Sequence, residues 1–171
     1  MPENFIEKIS ETLQQKGYIT ECDPFMPGVQ GLLYARSPGA FRLGFAKVED
    51  HFLFLDWENA IFSRQDLLIS ANQSFSKFVN QKFTVPHSLR LRIPNLAVIA
   101  ISQTEFPEET IRFAQTTYFI PWYGGEASQI LLIDLEKKTI YYHELTHIRQ
   151  TGSLPLSHTL DVLLASCQQG L

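Results

Sequence analysis

The sequence predicts a single α/β or α+β domain spanning residues 1-171, a mixed β-sheet of about six to seven strands with about four packed helices. Three observations carry this expectation. Four segments repeat apolar residues at helical spacing. Between them lie runs rich in branched and aromatic residues, two of which, Leu96 to Ile101 and Ile130 to Leu135, are apolar almost without interruption, as strands buried on both faces are. A hydrophobic content of 44% with 12% aromatics over 171 residues supplies one proper core without disulfide staples.

The elements follow in order. A first helix is expected from Glu3 to Lys16, because Phe5, Ile9 and Leu13 fall four apart on one face and Gly17 is placed to end it. Tyr18 to Cys22 reads as a strand, and Asp23-Pro24-Phe25-Met26-Pro27-Gly28 as a loop by its prolines and glycine. Gly31 to Arg36, Phe41 to Val48 and His51 to Trp57 read as three further strands, separated by Ser37-Pro38-Gly39 and by a turn at Glu49-Asp50. A second helix runs from Gln65 to Asn80, with Ser63 and Asp66 as a variant capping box and Leu67, Leu68, Ala71, Phe75, Phe78 and Val79 as its apolar face. After the buried strand at Leu96 comes a third helix, opened by Pro107 and continuing to Thr116. The last helix is expected from Ser157 to Gln168, turning Leu160, Leu163, Leu164 and Cys167 inward.

Composition narrows the function classes. Cys22 and Cys167 form neither a disulfide framework nor a metal motif and read as reduced thiols. The first residues lack the pattern of a secretory signal and no window is long and apolar enough to span a membrane, so the expectation is a cytoplasmic protein with no membrane partner. A net charge of -4, from 14 basic and 18 acidic side chains dispersed along the chain, advertises no phosphate backbone, so nucleic acid is not an expected partner. Phosphate loops, dinucleotide fingerprints and nucleophile elbows are missing, and no cofactor is expected on those grounds.

One stretch carries a sharp catalytic hypothesis. In His143-Glu144-Leu145-Thr146-His147 the two imidazoles stand at i and i+4, which on a helix lets both bind one zinc ion while the glutamate activates the metal-bound water. These five residues resemble the active-site motif of the zincin metallopeptidases. The resemblance implies His143 and His147 as zinc ligands and Glu144 as general base. The family generally has an apolar residue two positions after the second histidine, where Arg149 stands, and its longer pattern would place a third histidine where Ser153 stands. His158, on the last helix, is then the third ligand to test, with Asp161 behind it.

Two parsings of the segment compete. Leu131 to Tyr142 reads as strand, charged turn, strand. If the second strand runs on, the two histidines lie about 13 Å apart and cannot share a metal. Alternatively Asp134 caps a helix from Leu135 to Gln150, with Tyr141, Leu145 and Ile148 as its apolar stripe. The hairpin is the favoured parsing, since Thr, Ile and paired Tyr are strand formers.

Other constellations are weaker. Asp50, Asp56 and Glu58 share a parity around one strand and would form a cation site only if their oxygens converged. The order helix, three strands, helix, strand over the first hundred residues resembles the core of the restriction-endonuclease-like nucleases. That family holds a metal ion and water with an acidic residue and an acidic-x-Lys pair on adjacent strands. Here Asp56-Trp57-Glu58 ends the third strand without a lysine, and Glu136-x-Lys138 falls in a turn outside the core. Trp122-Tyr123-Gly124-Gly125-Glu126 has the composition of a contact loop, or of rings folded onto the core. The sequence therefore leads to a small non-catalytic accessory or interaction protein with a protein partner of unknown identity. The alternatives are a zinc hydrolase and a nuclease-fold relative without the full catalytic set.

Overall fold

The computed structural model describes residues 2–26, 28–43, 46–58, 65–83, 92–119, 127–143 and 154–170. Helix α1 (Pro2–Gln15) is followed by strands β1 (Ile19–Cys22), β2 (Phe25–Met26), β3 (Val29–Gln30), β4 (Leu33–Arg36), β5 (Ala40–Leu43) and β6 (Ala46–Asp56). Then come helix α2 (Gln65–Asn80), strand β7 (Arg92–Ser102) and helix α3 (Glu108–Thr116). Strands β8 (Tyr118–Phe119), β9 (Ala127–Asp134) and β10 (Thr139–Tyr141) and helix α4 (Leu154–Gly170) complete the elements of the described residues. The main sheet runs β1-β4-β6-β7-β9-β10, with β5 beside β6 and β8 beside β9, while β2 and β3 form a separate ribbon. It is mixed: β6, β7 and β9 are parallel to their neighbours in that order, and the remaining pairs are antiparallel.

Among the described residues, four helices pack on a mixed sheet, the architecture the apolar periodicities predict. Helices α1 and α4 cover one face, where Ile9, Leu13, Leu163 and Cys167 meet Phe52, Phe54, Ala97, Ile99 and Leu131. On the other face, Ala71, Phe75 and Val79 of α2 pack on Tyr34, Leu53, Leu55, Leu96 and Val98. Phe106 and the α3 residue Ala114 pack there on Ala100, Ile130 and Leu132. The alternation of faces along β6 is strict, even-numbered residues toward α1 and α4, odd-numbered ones toward α2.

The expected turn at Glu49-Asp50 does not form, and the two strands predicted around it are one. Strand β6 runs through it in register with β7 from Lys47↔Arg92 to Asp56↔Ile101. On its other side β4 pairs with residues 51–54 and β5 with residues 46–48. At the junction the Ser37 amide donates to the Asp50 carbonyl at 2.9 Å, and the Asp50 amide donates to Ser37 Oγ at 2.8 Å. Backbone groups that a turn would give to water are thus satisfied inside the sheet, and the burial of Glu49 and Asp50 is tolerated because both side chains are engaged. The strand expected from Leu96 likewise begins earlier, with β7 running from Arg92 through Pro94 and Asn95.

Over residues 134–141 the hairpin parsing holds. Asp134 Oδ1 accepts the Lys137 amide at 2.8 Å, the bond a helix cap would make. Lys138 then adopts φ 51, which reverses the chain, and Thr139, Ile140 and Tyr141 pair back onto Asp134, Ile133 and Leu132. A helix beginning at Leu135 is therefore not what these residues form. The expected cap Ser63 and the Trp122 to Glu126 loop lie outside the described residues.

Candidate functional site

Glu49 and His51 stand two apart on β6 and therefore share the face toward α2. Beside them, in register on β4, is Arg36, and one pleat along lies Tyr34. Glu21 of β1 pairs with Tyr34 and faces the same way. Lys82, in the turn that ends α2, reaches over from the helix layer, its Nζ 4.6 Å from the Tyr34 ring centre and 4.1 Å from that of Phe78. Six polar side chains from four elements thus gather at one end of the sheet, next to the Phe75 and Phe78 rings that pack edge-on to Tyr34.

His51 is its centre. The imidazole is 1% exposed, lies nearly parallel to the Tyr34 ring, and its Nδ1 is 2.8 Å from the Tyr34 hydroxyl. Its Nε2 is buried without a hydrogen-bond partner. Burial, with Arg36 and Lys82 adding positive charge nearby and Asp50 opposing them, brings its pKa down to about 3, so the ring is neutral at physiological pH. Burial likewise raises the Tyr34 pKa well beyond its ordinary value, Glu49 and Glu21 contributing and Arg36 opposing, and the phenol stays protonated. Lys82 is lowered by desolvation and by Arg36, against Glu21 and Glu49. Neither Arg36 nor Lys82 makes a salt bridge with a described residue.

The residues singled out from the sequence are placed as follows. Asp50 points to the opposite face, fully buried, where its Oδ2 accepts from the Tyr18 hydroxyl at 2.8 Å. Asp56 lies six residues further along β6, about 20 Å away at the rise of a strand. Glu58 is engaged beyond the strand end by the Gln103 amide at 2.9 Å and by Ser102 Oγ at 3.3 Å. Their oxygens do not converge on one cation. Of the zinc set, His143 follows β10 in non-helical backbone, buried and engaged with a partner. Glu144 and His147 lie outside the described residues, and His158 is carried by α4, where nothing is described of its side chain. Among the described residues no three His, Cys, Asp or Glu side chains are grouped as a metal site.

Tyr34, Arg36 and Lys82 carried no signal in the sequence. His51 stood beside a supposed turn, so its shared parity with Glu49 was hidden. The signal that could have found it is the alternation Lys47, Glu49, His51, Leu53, Leu55 across a single strand. Compared with known proteins, the chain matches no protein-family model and none of the curated proteins. Among the described residues no helix is long and apolar enough to cross a membrane.

Proposed function

We propose that the protein is a non-catalytic accessory or interaction protein of the cytoplasm, built on a sheet arrangement resembling the restriction-endonuclease-like core. The observation that carries this is what occupies the adjacent strands β4 and β6. Helix α1, the antiparallel strands β1, β4 and β6, helix α2 and the parallel strand β7 follow the order of that core. Nucleases of that family need an acid on one strand and an acid-x-Lys pair on the next. Here the β4 residues facing α2 are Tyr34 and Arg36, and β6 offers Glu49-x-His51, with the imidazole tied to Tyr34 and held neutral. Glu49, with Glu21 on the next strand and the cations Arg36 and Lys82 beside them, is a poor trap for a divalent ion, because each cation within reach opposes its charge.

The test is an assay of wild type and Glu49→Gln against single- and double-stranded DNA and RNA in Mg²⁺ and in Mn²⁺. The expected outcome is the same background hydrolysis for both proteins. Metal-dependent cleavage lost in the variant would overturn the proposal. A zinc arm covers the other chemistry: metal-stripped, zinc-reloaded wild type, Glu144→Gln and His147→Ala are compared by elemental analysis. Stoichiometric zinc lost only in the histidine variant would favour the hydrolase.

A further inference from the structure

We infer that the cluster facing α2 is a binding site for the phosphate group of a small molecule, held between Arg36, Lys82 and His51. This goes beyond the non-catalytic role proposed above and does not depend on it. Three observations converge. First, Arg36 and Lys82 approach from opposite layers, strand and helix turn, and neither has a salt-bridge partner among the described residues. Each acts electrostatically on the other's neighbourhood: Arg36 lowers Lys82, and both lower His51. Glu21 and Glu49 offset part of this repulsion at Lys82 from beyond salt-bridge distance, and an anion seated between the two cations offsets it at close range.

Second, His51 presents a buried ring nitrogen that bonds to nothing. The Tyr34 phenol is a neutral donor, and when it donates to Nδ1 the ring proton resides on Nε2. The free nitrogen is then a donor, matched to an anion and mismatched to a metal cation. An unmet buried donor carries a penalty of about 1–3 kcal/mol, so a ligand oxygen there is favoured.

Third, the donors come from different elements, β4, β6 and the end of α2, and so from different directions. A phosphate group has three free oxygens and can accept from all of them, with the guanidinium supplying a fork and the ammonium a point charge. A carboxylate offers its lone pairs in one plane, so it meets donors from the sheet and from the helix layer less well than a tetrahedral phosphate does. The carboxylates nearby set the limits. Glu49 is already engaged with another group, whereas Glu21, exposed on β1, opposes the anion.

The experiment follows the imidazole nitrogens of His51 by NMR at constant ionic strength and without divalent cations. The protein is titrated separately with inorganic phosphate, glucose 6-phosphate and acetate. The expected result is a saturable His51 shift with the phosphates and none with acetate. Arg36→Gln and Lys82→Gln, both outside the fully buried core, should each weaken binding about ten-fold, the loss of one charge-assisted hydrogen bond. Glu21→Gln should strengthen it, an effect that a purely structural role would not produce. Tighter binding of the sugar phosphate marks an organic phosphate as the ligand, and equal or tighter binding of inorganic phosphate marks the free ion. No saturable shift, or affinity unchanged in both cation variants, would overturn the proposal. Because no turnover is read, failure here leaves the non-catalytic role untouched, and a nuclease found above would leave the binding result standing.

Discussion

Two buried tyrosines, Tyr18 and Tyr34, each share a 2.8 Å hydrogen bond with a buried group on β6, but their partners differ in kind: the Asp50 carboxylate and the neutral His51 ring. Removing only the hydroxyl, as Tyr18→Phe, keeps the ring stacked on Phe52, whose centre lies 5.3 Å away. What is lost is one donor to a carboxylate that is 0% exposed. Hydrogen bonds to charged groups are worth about 1.5–3 kcal/mol, those between neutral groups about 0.5–1.5 kcal/mol. Tyr18→Phe should therefore destabilise the fold by about 2 kcal/mol and Tyr34→Phe by about 1 kcal/mol. With a urea m-value of ~2 kcal/mol/M, the midpoints fall by about 1 M and about 0.5 M. Equilibrium urea unfolding at pH 7, followed by tryptophan fluorescence and far-UV circular dichroism, measures both. A Tyr18→Phe protein within about 0.5 kcal/mol of wild type, or a larger loss from Tyr34→Phe, would refute the assignment of Asp50 as a buried carboxylate held by Tyr18.

Four further outcomes are expected. His51 has a folded pKa of about 3 against an ordinary value near 6.5, so on acidification the unfolded chain takes up a proton that the native chain refuses. The stability present above pH 6.5 is lost as pH falls toward 3, by about 2 kcal/mol between pH 7 and pH 5; a native imidazole titrating near 6.5 by NMR would contradict this. Gly31→Ala would put a methyl carbon 2.7 Å from Pro24 Cγ and 2.9 Å from Leu53 Cδ1, and should lower stability by about 1–3 kcal/mol in thermal melts. Gly17→Ala meets no neighbour but must hold φ +84, at a cost of about 1 kcal/mol in the same assay. Cys22 is exposed, while burial pushes the Cys167 thiol up to about 12, so a disulfide reagent should titrate one thiol in the native protein and both in urea. Two fast native thiols would show that α4 does not seal the core at Cys167.

The amino-acid sequence by itself determined the helices and the apolar strands, because each needs only a local pattern. Phe5, Ile9 and Leu13 repeat at helical spacing, Leu67 to Val79 make a broad apolar stripe, and Leu96 to Ile101 can be buried only between two layers. It also determined the hairpin at Asp134, where strand-forming Thr139 to Tyr141 outweighed the possible cap. What only the tertiary structure decided is the path through Glu49-Asp50 and, with it, the cluster. Two adjacent acids read as a turn while their partners are unknown; Ser37, Tyr18 and the neighbouring strands β4, β5 and β7 make that stretch a continuous strand. Once β6 is unbroken, its two-residue period aligns Glu49 with His51, strand pairing brings Arg36 and Tyr34 beside them, and the end of α2 lowers Lys82 onto the same spot. These residues are distant along the chain and carry no shared spacing, so nothing short of strand pairing and helix packing could have gathered them.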